Sequence, residues 1–551
     1  MKVWITLILC ATTFFVSAQY PQLSKEDWRA DLKYLKELVN EDYAHLFHRI
    51  TKEEFNASIA QLDKDIPNLA PHEIIVGMAK IIAQFKVGHT GMPLALSRHG
   101  EQIRTNFHLL PINFYHFNDG VFVQGVHKDY EKAVGAKVLK IGNKTIEEAL
   151  HAIRPVVSIE NEQFFKAFSM SYLACPEVLH AQGVTSQIER VPVLFQKDGE
   201  EFTITFEIQK GVHIPSRYGF VANSTDWISS RQTGSTPLWM KDIEKFYYFE
   251  YLPESRTVYV RQSQMADDLH EPIPIFYEKV FSFVEHKEVD RFVLDLRLNF
   301  GGNNYKNKPI ILGLIKSKIN QKGKFFTLIG RNTFSAAQNL VNELENYTET
   351  IFIGEPTSEN VNFFGDVKIE NLPKSNLELR LSYFWWQDKD PRDKRLETSP
   401  EVAATLSSED YRLNRDPVLH AALNYVKKMP KILADLKANF DSGDFEKANQ
   451  IGQKYIKDPT QKNNSIYTQI NTLGYEYLQK HQFAKAMAVF ELNTQLYPEI
   501  VNNWDSLAEG YLTKGDLKKA SFYYEKVIQM DPKGKAGDHA REMLEKIKRG
   551  H

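Results

Sequence analysis

The sequence predicts a mixed α/β protein that ends in an all-α repeat domain, and three observations support this fold class. Strands and helices alternate between residues 255 and 425, as they do in α/β cores. Residues 105–260 contain short β-like runs separated by turn signals. Near the C-terminus, a pattern of apolar and small residues repeats at an interval of 34 residues.

The 551 residues are too many for one hydrophobic core, so we divide the chain where the pattern of helix and strand signals changes. The predicted segments are a signal peptide at 1–18, a helical region at 19–104, a β-rich region at 105–250, an α/β core at 251–425 and a repeat domain at 426–551. Lys and Arg total 68 and Asp and Glu total 70, so the net charge is -2. This balance gives no support for a nucleic-acid partner, which would require a basic face.

The N-terminus has the three parts of a secretory signal peptide. Lys2 precedes the apolar run VWITLILCATTFFV, and a small-residue cleavage site ends at Ala18. We expect cleavage after Ala18 and export, either to the periplasm or to the medium. A lipoprotein interpretation through Cys10 is weaker, because Leu9 stands where a small residue is wanted. No later stretch reaches the roughly 18 apolar residues of a membrane span, so we expect no transmembrane anchor after cleavage.

Capping signals predict helices in the region that follows. Residues 24–27 and 51–54 fit the capping-box pattern, and Pro71 opens a third helix that runs out near 87–91. Strands are predicted at 120–125, 136–141, 191–195, 202–206, 257–260, 292–296 and 351–354. Pro192 limits the strand at 191–195 to the edge of a sheet at best, because proline has no N–H to donate.

The C-terminal repeat has the period of tetratricopeptide units. The matching pairs are Leu473 with Leu507, Ala486 with Ala520, Phe490 with Tyr524 and Pro498 with Pro532. An earlier, degenerate unit is expected at 432–457, and a polar closing helix at 535–548. The simpler interpretation is a generic helical hairpin. Repeats of this type present a concave groove, so we expect this domain to bind a protein partner or a peptide segment.

Two stretches, FVLDLRLNFGGNN at 292–304 and RNTFSAAQNLVNELE at 331–345, allow a structural or a functional interpretation. In the structural one, a buried strand ends in a glycine turn, and Ser335 is an N-cap with Gln338 completing a capping box. In the functional one, Ser335 is a nucleophile at a helix N-terminus, where backbone N–H groups stabilise an oxyanion. Gly301 and Gly302 would let amides approach a substrate, because glycine has no Cβ.

These stretches, followed by IFIGEPTSENVNFFGD, resemble the S41 family of serine peptidases, the C-terminal-processing and tricorn-core group. FKVGHTGMPL upstream and SPEVAATLSSEDYRLNRDPVLHAALNY downstream extend the resemblance over roughly residues 25–425. It implies a crotonase-like α/β core, a nucleophile at Ser335 and oxyanion donors at Ala336 and at Gly301 or Gly302. Residues 119–145 resemble a small PDZ-like peptide-binding element.

The resemblance leaves the catalytic base to be identified. One branch of the family uses a lysine after the serine, but this chain has Asn360 there, and its next lysine is Lys368. The tricorn-like branch uses a histidine from the N-terminal side of the core, and His89 in VGHTG matches that position. An imidazole titrates near neutral pH and is suited to accept a serine proton. Otherwise, His89 is a satisfied histidine at a helix end.

A carboxylate is expected to orient the base, by analogy with catalytic triads. Glu355, Glu397 and Glu401 are candidates, and Glu397 lies in the segment where the tricorn-like branch supplies its glutamate. Asp295 and Arg297 are interpreted as a structural ion pair that fixes the end of a strand.

Only two cysteines are present, and Cys10 belongs to the predicted signal. Cys175 is then alone, so no internal disulfide and no Cys cluster for zinc is expected. A lone cysteine of this kind is usually buried, and we interpret Cys175 as a structural thiol.

The sequence therefore predicts an exported serine peptidase that cleaves peptide or protein substrates without a metal or organic cofactor. The first competing hypothesis is a catalytically inactive peptide-binding protein on the same fold, which the missing lysine near residue 360 favours. The second is another acyl transfer, such as thioester hydrolysis. That reaction would require a nucleotide or pantetheine site, and the sequence shows none.

Overall fold

The structure, a computed structural model, describes residues 20–94, 107–208, 212–426, 430–458 and 465–550. The predicted signal peptide, including Cys10 and the cleavage site after Ala18, lies outside the described residues. The chain divides into two compact units, Met1–Tyr425 and Val426–His551. Each unit is described by itself.

The first unit contains helices and strands that alternate along the chain. Its helices are α1 Lys25–Asp42, α2 Lys52–Asp65, α3 Pro71–Ala83, α4 Ile146–Ile153, α5 Glu162–Leu173, α6 Pro176–Ala181, α7 Ile273–His286, α8 Asn307–Lys316, α9 Ala336–Tyr347, α10 Ser408–Arg412 and α11 Pro417–Leu423. Its strands are β1 Ile112–Phe117, β2 Gly120–His127, β3 Lys137–Ile141, β4 Lys144–Thr145, β5 Arg190–Lys197, β6 Glu200–Glu207, β7 Ser216–Arg217, β8 Phe220–Val221, β9 Trp227–Ser229, β10 Tyr247–Leu252, β11 Thr257–Gln262, β12 Arg291–Asp295, β13 Phe325–Ile329, β14 Ile351–Gly354, β15 Asn362–Asn371, β16 Glu378–Gln387 and β17 Val402–Ala403.

The first three helices begin near the predicted signals. Ser24 caps α1 by accepting the N–H of Asp27, and Thr51 and Glu54 form a complete capping box at α2. These helices share one hydrophobic cluster with a sheet in which, among the described residues, seven strands pair in the order β1-β2-β3-β5-β6, with β4 beside β3 and β9 beside β2. The helical and β-rich regions are therefore packed around a common core.

The prediction that residues 191–195 form at best an edge strand is wrong. Strand β5, which contains them, lies between β3 and β6. The carbonyl of Pro192 accepts the N–H of Gly142, one residue beyond the end of β3. An N–H at this position would point to the same side as the carbonyl. Proline is tolerated here because its missing donor faces the place where the neighbouring strand has already ended.

The second sheet forms the α/β core. Its order is β10-β11-β12-β13-β14-β17, and every pair is parallel except the antiparallel edge pair β10 and β11. Helices α7, α8 and α9 connect successive parallel strands. Strands β11 to β14 are almost wholly buried, as expected for a parallel sheet covered on both faces.

A two-stranded hairpin formed by β15 and β16 leaves this sheet and reaches the N-terminal region. Its strand β16 pairs with the segment that follows α3, through two hydrogen bonds between Gly91 and Arg380, each 2.9 Å long. The hairpin was not predicted, although it fixes the position of the VGHTG segment relative to the α/β core.

The second unit is all α-helical. Its helices are α12 Lys431–Ser442, α13 Phe445–Lys457, α14 Tyr467–Gln479, α15 Phe483–Leu496, α16 Val501–Lys514, α17 Leu517–Met530 and α18 Lys535–Arg549. Most of them pack against the next helix along the chain, and α13 packs against α15, around one hydrophobic cluster. The helical repeat, the earlier degenerate pair and the closing helix are confirmed. Within the described parts of the whole chain, no helix is both long and apolar enough to cross a membrane.

Candidate active site

The carboxyl ends of three neighbouring parallel strands meet at one place in the first unit. Strand β12 leads to Gly301 and Gly302, β13 leads to Ser335, and β14 leads to a loop that contains Glu359. Ligands of open α/β sheets bind beyond the carboxyl ends of the strands. This edge is therefore the expected position for chemistry.

Ser335 has a strained backbone at the start of α9. Its φ is 58° and its ψ is -129°, a combination that non-glycine residues rarely adopt. Its side chain makes no capping hydrogen bond, and the amide of Gln338 instead donates to Asn342 and Thr398. The interpretation of Ser335 and Gln338 as a capping box is wrong. Such strain persists only where surrounding structure enforces it, and it is common at functional sites.

The two glycines allow the backbone of the β12 turn to approach Ser335 closely. A Cβ on Gly301 would lie 2.6 Å from the Cβ of Ser335 and 2.8 Å from the amide nitrogen of Ala336. A Cβ on Gly302 would lie 2.4 Å from the carbonyl oxygen of Met265. Both residues also have positive φ angles, 98° and 136°. A side chain at either position would displace the turn.

The amides around Ser335 differ in whether they already have an acceptor. The N–H of Gly301 donates to Oδ1 of Asn299 over 2.9 Å. Among the described residues, the N–H groups of Gly302 and Ala336 have no hydrogen-bond acceptor. Ala336 is also the first residue of α9, where the helix dipole favours negative charge. Gly302 and Ala336 are therefore the two amides available to a ligand.

His89 meets Ser335 although 246 residues separate them in sequence. Its Nε2 lies 3.0 Å from Oγ of Ser335. The imidazole stacks on Phe334, with ring centroids 4.4 Å apart, and on Phe363, at 5.8 Å. The backbone of the segment that contains His89 is held in place by the pairing of Gly91 with β16. The structure therefore brings together the two side chains that the sequence proposed as nucleophile and base.

Glu359 contacts both of these residues. Its Oε2 lies 3.4 Å from Nδ1 of His89 and accepts the N–H of Ser335 over 3.1 Å. The carboxyl group is fully buried. Sequence reasoning missed Glu359, although it directly precedes Asn360, the position where the lysine branch of the family keeps its base.

A second carboxyl group, that of Glu160, lies behind Glu359. It accepts the N–H of Gly88 over 2.6 Å and the side-chain amide of Asn360 over 2.5 Å. Burial raises the pKa of Glu160, and a hydrogen bond with Glu359 partly offsets this rise. Two carboxyl groups that share a hydrogen bond need one proton between them. Glu160 therefore acts on the carboxyl group that faces His89.

The other carboxylates proposed from sequence lie elsewhere. Glu355 forms a bidentate pair with Arg331, and Glu401 pairs with exposed Lys322 over 2.8 Å. Glu397 accepts the hydroxyl of Ser399 at 3.4 Å and lines a separate cavity of about 600 Å³ together with Glu160. The structure thus does not bring Glu355, Glu397 or Glu401 to His89, and Glu359 occupies that place.

The neighbouring residues have structural roles. Arg297 pairs with Asp295 and, through two hydrogen bonds of 2.8 Å, with Asp416 at the start of α11. The predicted Asp295–Arg297 pair is confirmed. Cys175 is buried, as predicted, and burial raises its thiol pKa well above the ordinary value. The exposed side chain of Lys368 lies over the ring of Tyr383.

A cavity of about 210 Å³ opens beside His89. Its wall combines apolar side chains, including those of Phe164, Phe168 and Val367, with polar ones, and Arg380 supplies a charge. The site as a whole thus combines a hydroxyl, an imidazole, a buried carboxylate, two available amides and a recess with both apolar and polar walls. This set is able to perform acyl transfer through a covalent intermediate.

Comparison with solved structures identifies the fold. Mature CPAF complexed with lactacystin has a TM-score of 0.51 at 10% identity, and the alignment covers 73% of this chain and 99% of CPAF. Mature CPAF alone gives a TM-score of 0.50 at the same identity, covering 74% and 99%. The predicted fold class is confirmed, and the chain shares the fold of mature CPAF over about three quarters of its length.

Comparison by sequence adds a relative for the repeats. No family model matches the sequence. The tetratricopeptide repeat domain-containing protein PYG7 of Arabidopsis thaliana chloroplasts is 29% identical over 97 residues, which are 18% of this chain and 32% of that protein. The chain therefore spans about a third of the length of this curated relative.

Proposed function

We propose that this protein is an exported serine peptidase of the S41 type. The observation that carries the proposal is the 3.0 Å contact between Nε2 of His89 and Oγ of Ser335, made on a serine whose backbone is strained. The motifs that resemble the family and the fold shared with mature CPAF support it. Export rests on the signal-like segment at residues 1–18.

In this mechanism, Ser335 attacks the carbonyl carbon of the scissile peptide bond while His89 takes its proton. Glu359 orients the imidazole through Nδ1 and stabilises the imidazolium that forms. His89 then protonates the departing amine as the C–N bond breaks, which leaves an acyl ester on Ser335. A water molecule, deprotonated by His89, hydrolyses this ester and regenerates the serine.

The negative charge of each tetrahedral intermediate needs donors that are already in place. We assign this role to the amides of Gly302 and Ala336, because the Gly301 amide is held by Asn299. In subtilisin, removing one oxyanion donor costs about 2.7 to 4 kcal/mol of transition-state stabilisation. The turn at Gly301 and Gly302 brings one donor close to the start of α9.

The substrate is proposed to be a peptide or protein with an apolar side chain near the cleaved bond. The side chains of Phe164, Phe168 and Val367 in the recess beside His89 support this class. The C-terminal helices, which resemble tetratricopeptide units, are proposed to bind a protein partner or another part of the substrate.

The test is labelling with a fluorophosphonate probe, which reacts with activated serines. We expect the protein without its signal segment to be labelled, Ser335→Ala to be unlabelled, and His89→Ala to react roughly 10²- to 10⁴-fold more slowly. Ser399→Ala is a matched control, since Ser399 is exposed and its hydroxyl hydrogen-bonds only to Glu397 among the described residues. Lactacystin, which is bound in one structure of mature CPAF, is the second probe.

Two outcomes would contradict the proposal. Labelling that survives in Ser335→Ala would place the reactive group elsewhere. Absence of labelling in a folded protein, with and without added peptides, would favour the second candidate function, an inactive peptide-binding protein. Asn360 favours that candidate, because its amide cannot serve as a base where the lysine branch has one.

A further inference from the structure

A cluster of metal-binding side chains lies outside the candidate active site. His72 and Glu73 are in the first turn of α3, and His180 is in α6, which packs against α3. One ligand atom from each of these three residues lies within 4.8 Å of the others. Nε2 of His72 and Nδ1 of His180 are 2.9 Å apart. The candidate active site uses none of these residues.

We propose that His72, Glu73 and His180 bind one first-row transition-metal dication, with Zn²⁺ as the best fit. Zn²⁺ prefers imidazole nitrogen and carboxylate oxygen at about 2.0 to 2.2 Å, in a tetrahedral arrangement. Tetrahedral ligand atoms at these bond lengths are about 3.3 Å apart. The two imidazole nitrogens are therefore within about half an ångström of the spacing that the ion requires.

Glu73 has an oxygen available for the ion. Its Oε2 accepts the N–H of Ala70, which closes the N-terminus of α3. No hydrogen bond to its Oε1 is present among the described residues. A carboxylate that is already fixed at one oxygen is oriented before the ion arrives, as are the metal-binding carboxylates of other proteins.

The surroundings of the cluster favour a cation. The carboxyl groups of Glu177 and Glu189 also act electrostatically on His72. Glu177 is fully buried and hydrogen-bonded to His108. His72 itself is only 4% exposed. The buried carboxylate of Glu177 is stabilised by a nearby dication, whereas Glu189 is exposed and its charge is screened by water. A fourth coordination position remains for water.

The ion would have a structural consequence. It would join α3 to α6, and α3 ends at Ala83, six residues before His89. The other explanation of the cluster is a hydrogen bond between two neutral histidines, which needs no metal. The two explanations differ in whether the protein binds Zn²⁺ stoichiometrically at this place.

The experiment uses the full chain without its signal segment, without a polyhistidine tag, and stripped of metal by a chelator. Zn²⁺ is titrated in competition with a chromophoric chelator, and Co²⁺ is titrated separately because its visible absorption reports tetrahedral coordination. We expect one equivalent of Zn²⁺ per chain. We also expect affinity to fall at least tenfold in His180→Ala and in Glu73→Gln, since even loss of an outer-shell partner costs about 10- to 100-fold.

The variants are chosen so that folding and binding are separated. Glu73→Gln keeps an oxygen to accept the Ala70 N–H, and His180 is only half-buried, so both variants are expected to fold by circular dichroism. His127→Gln is the matched control, because His127 belongs to another histidine–carboxylate pair, with Asp129 at 3.3 Å. Ser335→Ala should bind Zn²⁺ normally, which keeps this test independent of the proposed peptidase activity.

Stoichiometric Zn²⁺ binding that is lost in His180→Ala and Glu73→Gln but retained in His127→Gln supports the site. Two results overturn it. One is the absence of stoichiometric binding in the metal-free protein, and the other is binding that survives unchanged in folded His180→Ala.

Discussion

At the scale of single residues, the site depends on a backbone conformation at Ser335 that non-glycine residues rarely adopt. Ser335 has a positive φ, and the neighbouring turn approaches it so closely that residue 301 cannot carry a Cβ. These two facts are linked, because the Cβ of Ser335 points toward the space that a side chain at 301 would need. The strain is therefore part of how the hydroxyl is presented to His89.

The first prediction concerns Gly301→Ala. The new Cβ would lie 2.6 Å from the Cβ of Ser335, at a φ of +98° that alanine tolerates poorly. We expect a loss of about 1–3 kcal/mol in unfolding free energy and no fluorophosphonate labelling. Gly323→Ala is the control, since Gly323 has a φ of +90° but a Cβ added there would meet nothing within 4 Å. It should lose similar stability through strain and keep labelling; equal labelling in both variants would contradict the argument.

The second prediction separates the two glutamates that compete for the third catalytic position. The contacts of Glu359 with His89 and Ser335 predict that Glu359→Gln lowers kcat by roughly 10²- to 10⁴-fold. Glu397→Gln should lower kcat less than about tenfold, because Glu397 contacts neither residue. Rates of peptide hydrolysis or of fluorophosphonate labelling measure both effects. A larger loss in Glu397→Gln than in Glu359→Gln would support Glu397, the residue suggested by the family resemblance.

Glu160 provides a third prediction, which tests a positioning role. Because it shares a hydrogen bond with Glu359, Glu160→Gln removes a titratable group from behind His89 and keeps an oxygen to accept the Gly88 N–H. We expect kcat to fall while KM changes little, and the pH–rate profile to shift. A variant that loses stability but retains the wild-type pH profile would show that Glu160 is only structural.

The fourth prediction follows from the ion pair between buried Arg331 and partly buried Glu355. Burial alone would raise the pKa of Glu355, but the nearby Arg331 guanidinium outweighs it and lowers that pKa. The pKa of a glutamate in the unfolded chain is near 4.3. A carboxyl group whose pKa is lower in the folded protein stabilises the fold at pH values above 4.3, and this stabilisation is lost as the pH falls through the pKa of the folded state. Glu355→Gln should therefore cost about 3–5 kcal/mol at pH 7, because Arg331 would be left buried and unpaired.

Urea unfolding of wild type and Glu355→Gln between pH 7 and pH 3 measures this difference. The difference in unfolding free energy between wild type and Glu355→Gln should be constant down to about pH 4.3 and should decrease at lower pH. Glu401→Gln is the control, since the pair of Glu401 with Lys322 is exposed and should contribute less than about 1 kcal/mol. A difference in unfolding free energy that increases in acid would contradict a lowered pKa of Glu355.

At the scale of elements, the C-terminal helices show how the repeat encodes close packing. Gly474 of α14 lies beneath the ring of Phe490 in α15, and its counterpart one period later is Ala508, which is fully buried. Small residues at this position let adjacent helices approach. The residues that reveal the repeat include large ones, such as Leu473 and Phe490, and the small positions leave space for them to pack.

Gly474→Ala is the corresponding prediction. Alanine favours a helix by about 1 kcal/mol over glycine, but its Cβ would lie 2.4 Å from Cε1 of Phe490. We expect the clash to dominate and the isolated repeat unit to lose about 1–3 kcal/mol in unfolding free energy. Thr472→Ala, on the exposed side of the same helix, should be neutral or stabilising. A stabilised Gly474→Ala variant would show that Phe490 moves away freely.

The elements also explain which parts of the site were predictable. Strands with apolar runs, capped helices and the repeat follow local patterns, so they were found, as were Ser335 and His89 through their motifs. Glu359 was missed because its role depends on the loop after β14 folding back to the segment between β13 and α9, where Ser358 donates its N–H to the carbonyl of Thr333. The edge assignment of residues 191–195 failed because a local rule about proline cannot show where the neighbouring strand ends.

At the scale of the whole molecule, each unit has a hydrophobic core made from its own residues. The candidate site draws all its described parts from the first unit, and the core of the second unit begins at Leu433. A unit with its own core is expected to fold without its neighbour. Chemistry at Ser335 and recognition by the repeats are therefore expected to be separable.

The last prediction tests this separation by truncation after Tyr425, at the boundary between the units. The truncated chain should unfold cooperatively and keep fluorophosphonate labelling of Ser335 within about twofold, because every group that contacts the serine is retained. Residues 426–551 alone should give the circular dichroism of a folded helical protein. If the repeats bind substrate, KM for a long protein substrate should rise on truncation while KM for a short peptide stays unchanged. A folded truncation that loses labelling would instead show that the repeat unit helps to assemble the site.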